Sequence, residues 1–63
     1  MRIGRLTQRS IQNYSEEYNT PLQECMEIYS EGWEDFPNQL GNTDIDSPSL
    51  YGLHCLRNYL QSR

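Results

Sequence analysis

Residues 20–33 constrain the architecture more than any other stretch. Thr20-Pro21-Leu22-Gln23 reads as a helix start. It offers a hydroxyl at the N-cap, Pro at the first helical position, where its missing N–H costs nothing, and Gln at the third. Behind it, Leu22, Cys25, Met26, Tyr29 and Trp33 recur at i, i+3, i+4, i+7 and i+11. That is the stripe of a helix packed on one side. Glu24 adds a carboxylate near the positive end of the helix dipole. Glu24, Glu27 and Glu31 follow i, i+3 and i+7 on another face, so an acidic ridge runs beside the apolar stripe. Gly32 can end the helix, and Pro37 stops any continuation.

Two further helices are expected. Ser47-Pro48-Ser49 repeats the cap-then-Pro start. The helix behind it carries two stripes, Leu50, Leu53, Leu56 and Leu60 on one side and Tyr51, Cys55 and Tyr59 on the other. A helix that is apolar around more than half its circumference is either central in the core or shared with a second chain. A homodimer through the Tyr51–Cys55–Tyr59 stripe would satisfy the second case. Gly52 inside this helix costs about 1 kcal/mol against Ala, and it either admits close approach of another helix or is simply tolerated. The first helix is placed at 7–18, with Leu6, Ile11, Tyr14 and Tyr18 near one face, Thr7 as N-cap and Asn19 as stop. Its Glu16 and Glu17 stand at the end where the dipole disfavours them.

The chain contains no Lys, Ala or Val, and its apolar content is mainly Leu and Tyr, which suits helices better than strands. The expected fold is therefore all-α. One small three-helix domain spans 1–63, with a basic arm at 1–6 and a long acidic loop at 34–47 between the second and third helices. That loop holds Pro37, Asn38, Gly41, Asn42, Asp44 and Asp46, all turn formers. A domain of 63 residues buries only about 60% of its unfolded surface, and its two cysteines allow at most one disulfide. Small domains of this kind often lean on oligomerisation or a partner.

Charge is segregated along the chain. Arg2, Arg5 and Arg9 come first, all nine acids lie between 16 and 46, and Arg57 and Arg63 follow, for a net charge of −4. Either the basic ends fold back onto a solvated acidic face, or that face is free to guide docking.

No chemical motif is complete. Asn42, Asp44 and Asp46 alternate like the start of a calcium loop, but Ser47 replaces the required Gly and Leu53 the bidentate Glu. Cys25, His54 and Cys55 lack the paired spacing of structural zinc, and adjacent helical residues such as His54 and Cys55 point about 100° apart. The glycines are isolated, so no phosphate-cradling loop is expected. Arg2, Arg5 and Arg9 would share a helical face, yet a sequence pI of 4.6 argues against direct nucleic-acid binding. No catalytic, cofactor or metal site is expected. Asn13-Tyr14-Ser15 matches a glycosylation sequon, but residues 1–12 have no apolar run of a secretory signal. No stretch is apolar enough to span a membrane. The expected compartment is a reducing cytoplasm.

These features point to a small acidic, non-enzymatic interaction protein: a regulator, inhibitor or accessory subunit docking on a larger protein with a basic surface. The expected contact residues are Trp33, Glu34, Asp35, Phe36, Glu24, Glu27, Glu31, Tyr51 and Tyr59. The alternative is an acidic mimic of nucleic acid that occupies the groove of a DNA- or RNA-binding protein, such as a defence nuclease or transcription factor. Trp33 closes the apolar stripe and is expected to be at least half-buried. Phe36 has no periodic support and is expected to be the more exposed of the two.

Overall fold

The computed structural model describes residues 3–63 and is all-helical. Helix α1 spans Arg5–Glu17, α2 spans Leu22–Asp35, a short 3-10 turn covers Phe36–Gln39, and α3 spans Pro48–Gln61. The core is a cluster of Ile11, Cys25, Tyr29, Leu56 and Leu60, with Ile3, Tyr14, Tyr18, Met26, Ile28, Trp33 and Leu53 packed around it. Fully burying a side chain such as Leu56 contributes about 1.5–3 kcal/mol. Met1 and Arg2 of the expected basic arm lie outside the described residues. Arg5 and Leu6, also assigned to that arm, are already helical.

The helix ends follow local chemistry, with two shifts. α1 starts before Thr7, because Gly4 is extended (φ −71°, ψ 163°) and its carbonyl accepts the first helical bond from Gln8 N–H at 2.9 Å. Its other end stops where expected. Asn19 takes a left-handed backbone (φ 51°), Asn19 N–H donates to Glu16 O, and Thr20 N–H donates to Ser15 O at 2.9 Å. Those two bonds make a Schellman turn. Thr20 does not cap α2. Pro21 takes that position, and the buried Thr20 hydroxyl donates to Tyr18 O and accepts from Arg63 Nη1 at 2.6 Å. Ser47 caps α3 as expected, its hydroxyl accepting from Leu50 N–H with Pro48 in the first turn.

α2 and α3 pack on each other far more extensively than α1 packs on either. Their crossing is built on two glycines. A Cβ on Gly52 would lie 2.8 Å from the Tyr29 ring and 2.8 Å from the Tyr29 carbonyl oxygen. A Cβ on Gly32 would lie 3.0 Å from Cys55 Cβ and Sγ and 3.1 Å from Gly52 Cα. Gly32 therefore does not end α2; it is buried in the helix so that α3 can approach.

This moves the buried stripe of α2. Cys25, Tyr29, Gly32 and Phe36 stand at i, i+4, i+7 and i+11, and all four are buried. Phe36 is only 8% exposed, its ring 5.8 Å from that of Tyr51. The expectation that Phe36 is the more exposed aromatic is overturned, because the helix runs on past Gly32 and brings Phe36 round to the α3 side. Trp33 is partly buried against the core. The connection is also less loop-like than expected: Glu34 and Asp35 belong to α2, and Phe36–Gln39 form the 3-10 turn. Only Asp44 and Asp46 remain as acids in its non-helical part.

Candidate functional site

The outer face of α2 is the most distinctive polar surface. Glu27, Glu31 and Glu34 recur at i, i+4 and i+7, and all three are exposed. Like charges at i, i+4 destabilise a helix by a few tenths of a kcal/mol, so this ridge is not there for the helix's benefit. Beside it, half-buried Met26 and Trp33, seven residues apart, form an apolar margin. A shallow hollow of about 430 Å³ opens between Gln23, Met26, Glu27, Ser30 and Glu31. Met26 was not among the expected contact residues. Its position at i−7 from Trp33 is the signal that links the two.

No described base neutralises the ridge. Among the described residues there is one ion pair, Arg63 with Glu24 at 3.4 Å. Arg5, Arg9 and Arg57 are exposed and join no acid. So among the described arginines only Arg63 folds back onto an acid.

Glu24 belongs to a structural clasp rather than to the open ridge. The Tyr59 hydroxyl donates to Glu24 Oε2 at 2.7 Å, and Arg63 Nη1 reaches both that oxygen and the Thr20 hydroxyl. The clasp fastens the end of α3 to the start of α2. The hydrogen bond to the Glu24 carboxylate raises the Tyr59 hydroxyl above its ordinary pKa of 10.0. Burial, with Glu24 adding to it, likewise raises the neighbouring Cys25 thiol above 9.0.

The other expected contact residues divide. Asp35 is exposed, but its carboxylate accepts from Asn38 Nδ2 at 3.2 Å and Gln39 Nε2 at 2.9 Å, tying down the 3-10 turn. The Tyr51, Cys55 and Tyr59 stripe faces the chain's own elements: Tyr51 meets Phe36, Cys55 meets Gly32, and Tyr59 meets Glu24. Tyr51 and Cys55 are part-buried there, and Tyr59 stays 38% exposed. Cys25 is fully buried and both cysteines are free thiols, while His54 is exposed and its Nε2 lies 3.1 Å from Asn58 Nδ2. Among the described residues no three His, Cys, Asp or Glu side chains are grouped to hold a metal ion, and no helix is long and apolar enough to cross a membrane.

A second hollow, of about 630 Å³, lies between α1 and α3, lined by Ser10, Asn13, Tyr14, Glu16, Glu17 and Leu53. Comparison with protein-family models, with curated proteins and with solved structures found no match.

Proposed function

We propose that this chain is a non-enzymatic docking module that presents the outer face of α2 to a larger protein with a basic surface. The observation that carries this reading is the unneutralised ridge of Glu27, Glu31 and Glu34 beside the Met26–Trp33 margin, with the sole described ion pair spent elsewhere, on Glu24. An apolar strip flanked by one sign of charge supports both anchoring and steering: the apolar groups hold the partner, and the carboxylates speed and orient the encounter. Regulator, inhibitor and accessory subunit are all roles such a module can fill.

The test is recovery of bound protein from cells that express the chain, comparing wild type with a Glu27→Arg, Glu31→Arg double variant. The reading expects a specific partner whose recovery falls at least about tenfold in the variant, equivalent to 1.4 kcal/mol, while helicity by circular dichroism is unchanged. Equal recovery by both forms would defeat it. A salt series on the recovered complex then separates the two modes of docking. Modest salt sensitivity fits the apolar-anchored mode, and steep loss of binding would identify mimicry of nucleic acid instead.

A further inference from the structure

Helix α1 carries its charges backwards. Arg5 stands in its first turn and Arg9 in the next, while Glu16 and Glu17 close its last turn. The first turn holds no acid and the last turn no base. In the end turns Arg5, Glu16 and Glu17 each cost roughly 0.3–1 kcal/mol against the helix dipole. Nothing within the described chain relieves this, since Arg5, Arg9, Glu16 and Glu17 are all exposed and none joins an ion pair.

A second, independent feature lies on the same helix. Leu6 is 83% exposed, the most exposed large apolar residue described, and it sits between Arg5 and Arg9. Leu6, Ser10, Asn13 and Glu17 follow i, i+4, i+7 and i+11, one seam along α1. Three of those four, Ser10, Asn13 and Glu17, line the hollow of about 630 Å³ whose apolar lining is Tyr14 and Leu53. The hollow thus offers an apolar floor and an acidic wall, and Leu6 with its flanking arginines offers the complementary shape of charge.

We infer that α1 pairs with α1 of a second copy, antiparallel about a two-fold axis near the middle of the helix. In that arrangement Leu6 of each copy enters the other's Tyr14–Leu53 hollow. Arg5 and Arg9 of one copy face Glu16 and Glu17 of the other. Ser10 and Asn13, short side chains, sit at the crossing and let the helices approach. The pairing also corrects the dipole misplacement, because each negative helix end receives the other copy's arginines. Parallel pairing would bring like charges together, so the charge order itself selects the antiparallel form. A two-fold contact of this kind closes on itself and makes every favourable pair twice. A seam of three to four turns is smaller than a stable dimer interface, so the association is weak and concentration-dependent. Its consequence for docking is that two copies would present two α2 ridges at once, adding avidity.

Charge exchange tests this directly. Sedimentation equilibrium from micromolar to millimolar chain should show a monomer passing to a dimer, more readily at low salt. Arg9→Glu alone and Glu16→Arg alone should each weaken the dimer about tenfold, or 1.4 kcal/mol. Glu16→Arg also corrects the monomer's helix dipole, and Arg9→Glu lies outside the end turns at an exposed position, so lost dimer cannot be blamed on lost helix. The combined Arg9→Glu, Glu16→Arg variant restores the complementary order and should recover the dimer. A wild type that stays monomeric at millimolar concentration overturns the inference. So do single variants that dimerise like wild type, or a folded double variant that does not recover. None of these outcomes bears on partner recovery through Glu27 and Glu31, which lie on the outer face of α2.

Discussion

The α2–α3 hairpin and helix α1 are held by different means. In the hairpin, Gly32 and Gly52 bring two backbones together, Tyr29 fills the space over Gly52, the Phe36 ring packs at a tilt against Tyr51, and the Glu24–Tyr59–Arg63 clasp closes the far end. α1 contributes one fully buried residue, Ile11, has no side-chain cap at its start, and carries charges opposed to its dipole. The hairpin is a scaffold whose α2 acids are either tied to its own side chains or turned outward. α1 is a lid over that scaffold whose exposed charges are unsatisfied. In a chain this small, stability is concentrated where backbones meet, and the surfaces left over are free for other work.

The largest test of the contrast is Leu56→Ala. Leu56 is fully buried and belongs to the cluster that joins all three helices. Its truncation should cost about 2–5 kcal/mol, against a total of roughly 3–9 kcal/mol for a domain of this length. The melting curve followed by circular dichroism should shift far below that of wild type; a native-like melting curve would show that the core is elsewhere.

Next comes the glycine crossing. Gly52→Ala should destabilise by about 1–3 kcal/mol through overpacking, even though Ala is the better helix former. Gly32→Ala should cost less, because its nearest neighbours lie 3.0 Å or more away and include the Cys55 side chain rather than a carbonyl oxygen at 2.8 Å. Urea titrations of both variants rank them; a stabilised Gly52→Ala would mean that the helices do not meet there.

A smaller effect follows from protonation. The folded chain holds the Cys25 and Tyr59 protons more tightly than the unfolded chain does, because both values are raised. Their contribution is therefore whole below the ordinary values of 9.0 and 10.0 and is lost as pH climbs beyond them. Melting temperature should fall as pH rises past 9.0, and Cys25→Ser should remove the first part of that fall. The smallest expected change has the opposite sign: Glu17→Arg should stabilise α1 in dilute monomer by roughly 0.3–1 kcal/mol, read as a higher melting temperature.

What the sequence makes legible is what neighbouring residues decide. The Ser47-Pro48 start and the Asn19 stop can be read because a cap or a left-handed turn involves only a few consecutive positions. Thr20 looks like a cap by the same local rule. Its hydroxyl is instead engaged by Arg63, far away in the chain, and no local pattern announces that. Gly32 is the costliest misreading. Taken as a terminator, it cuts the stripe that continues from Cys25 and Tyr29 to Phe36, and so leaves Phe36 seeming exposed. A glycine that breaks a helix and one that admits a neighbouring helix look alike until the neighbour is placed. The acidic ridge at Glu27 and Glu31 was legible from spacing. That Glu24 would be drawn out of it by Tyr59 was not.

Native-state hydrogen exchange tests the two-part account most directly. The account expects the amides around Ile11 in α1 to exchange through a partial opening well below the global unfolding free energy, while those around Tyr29 and Leu56 exchange only on global unfolding. If the α1 amides exchange at the same free energy as those of α2 and α3, the lid and the scaffold are one cooperative unit and the contrast between them is wrong.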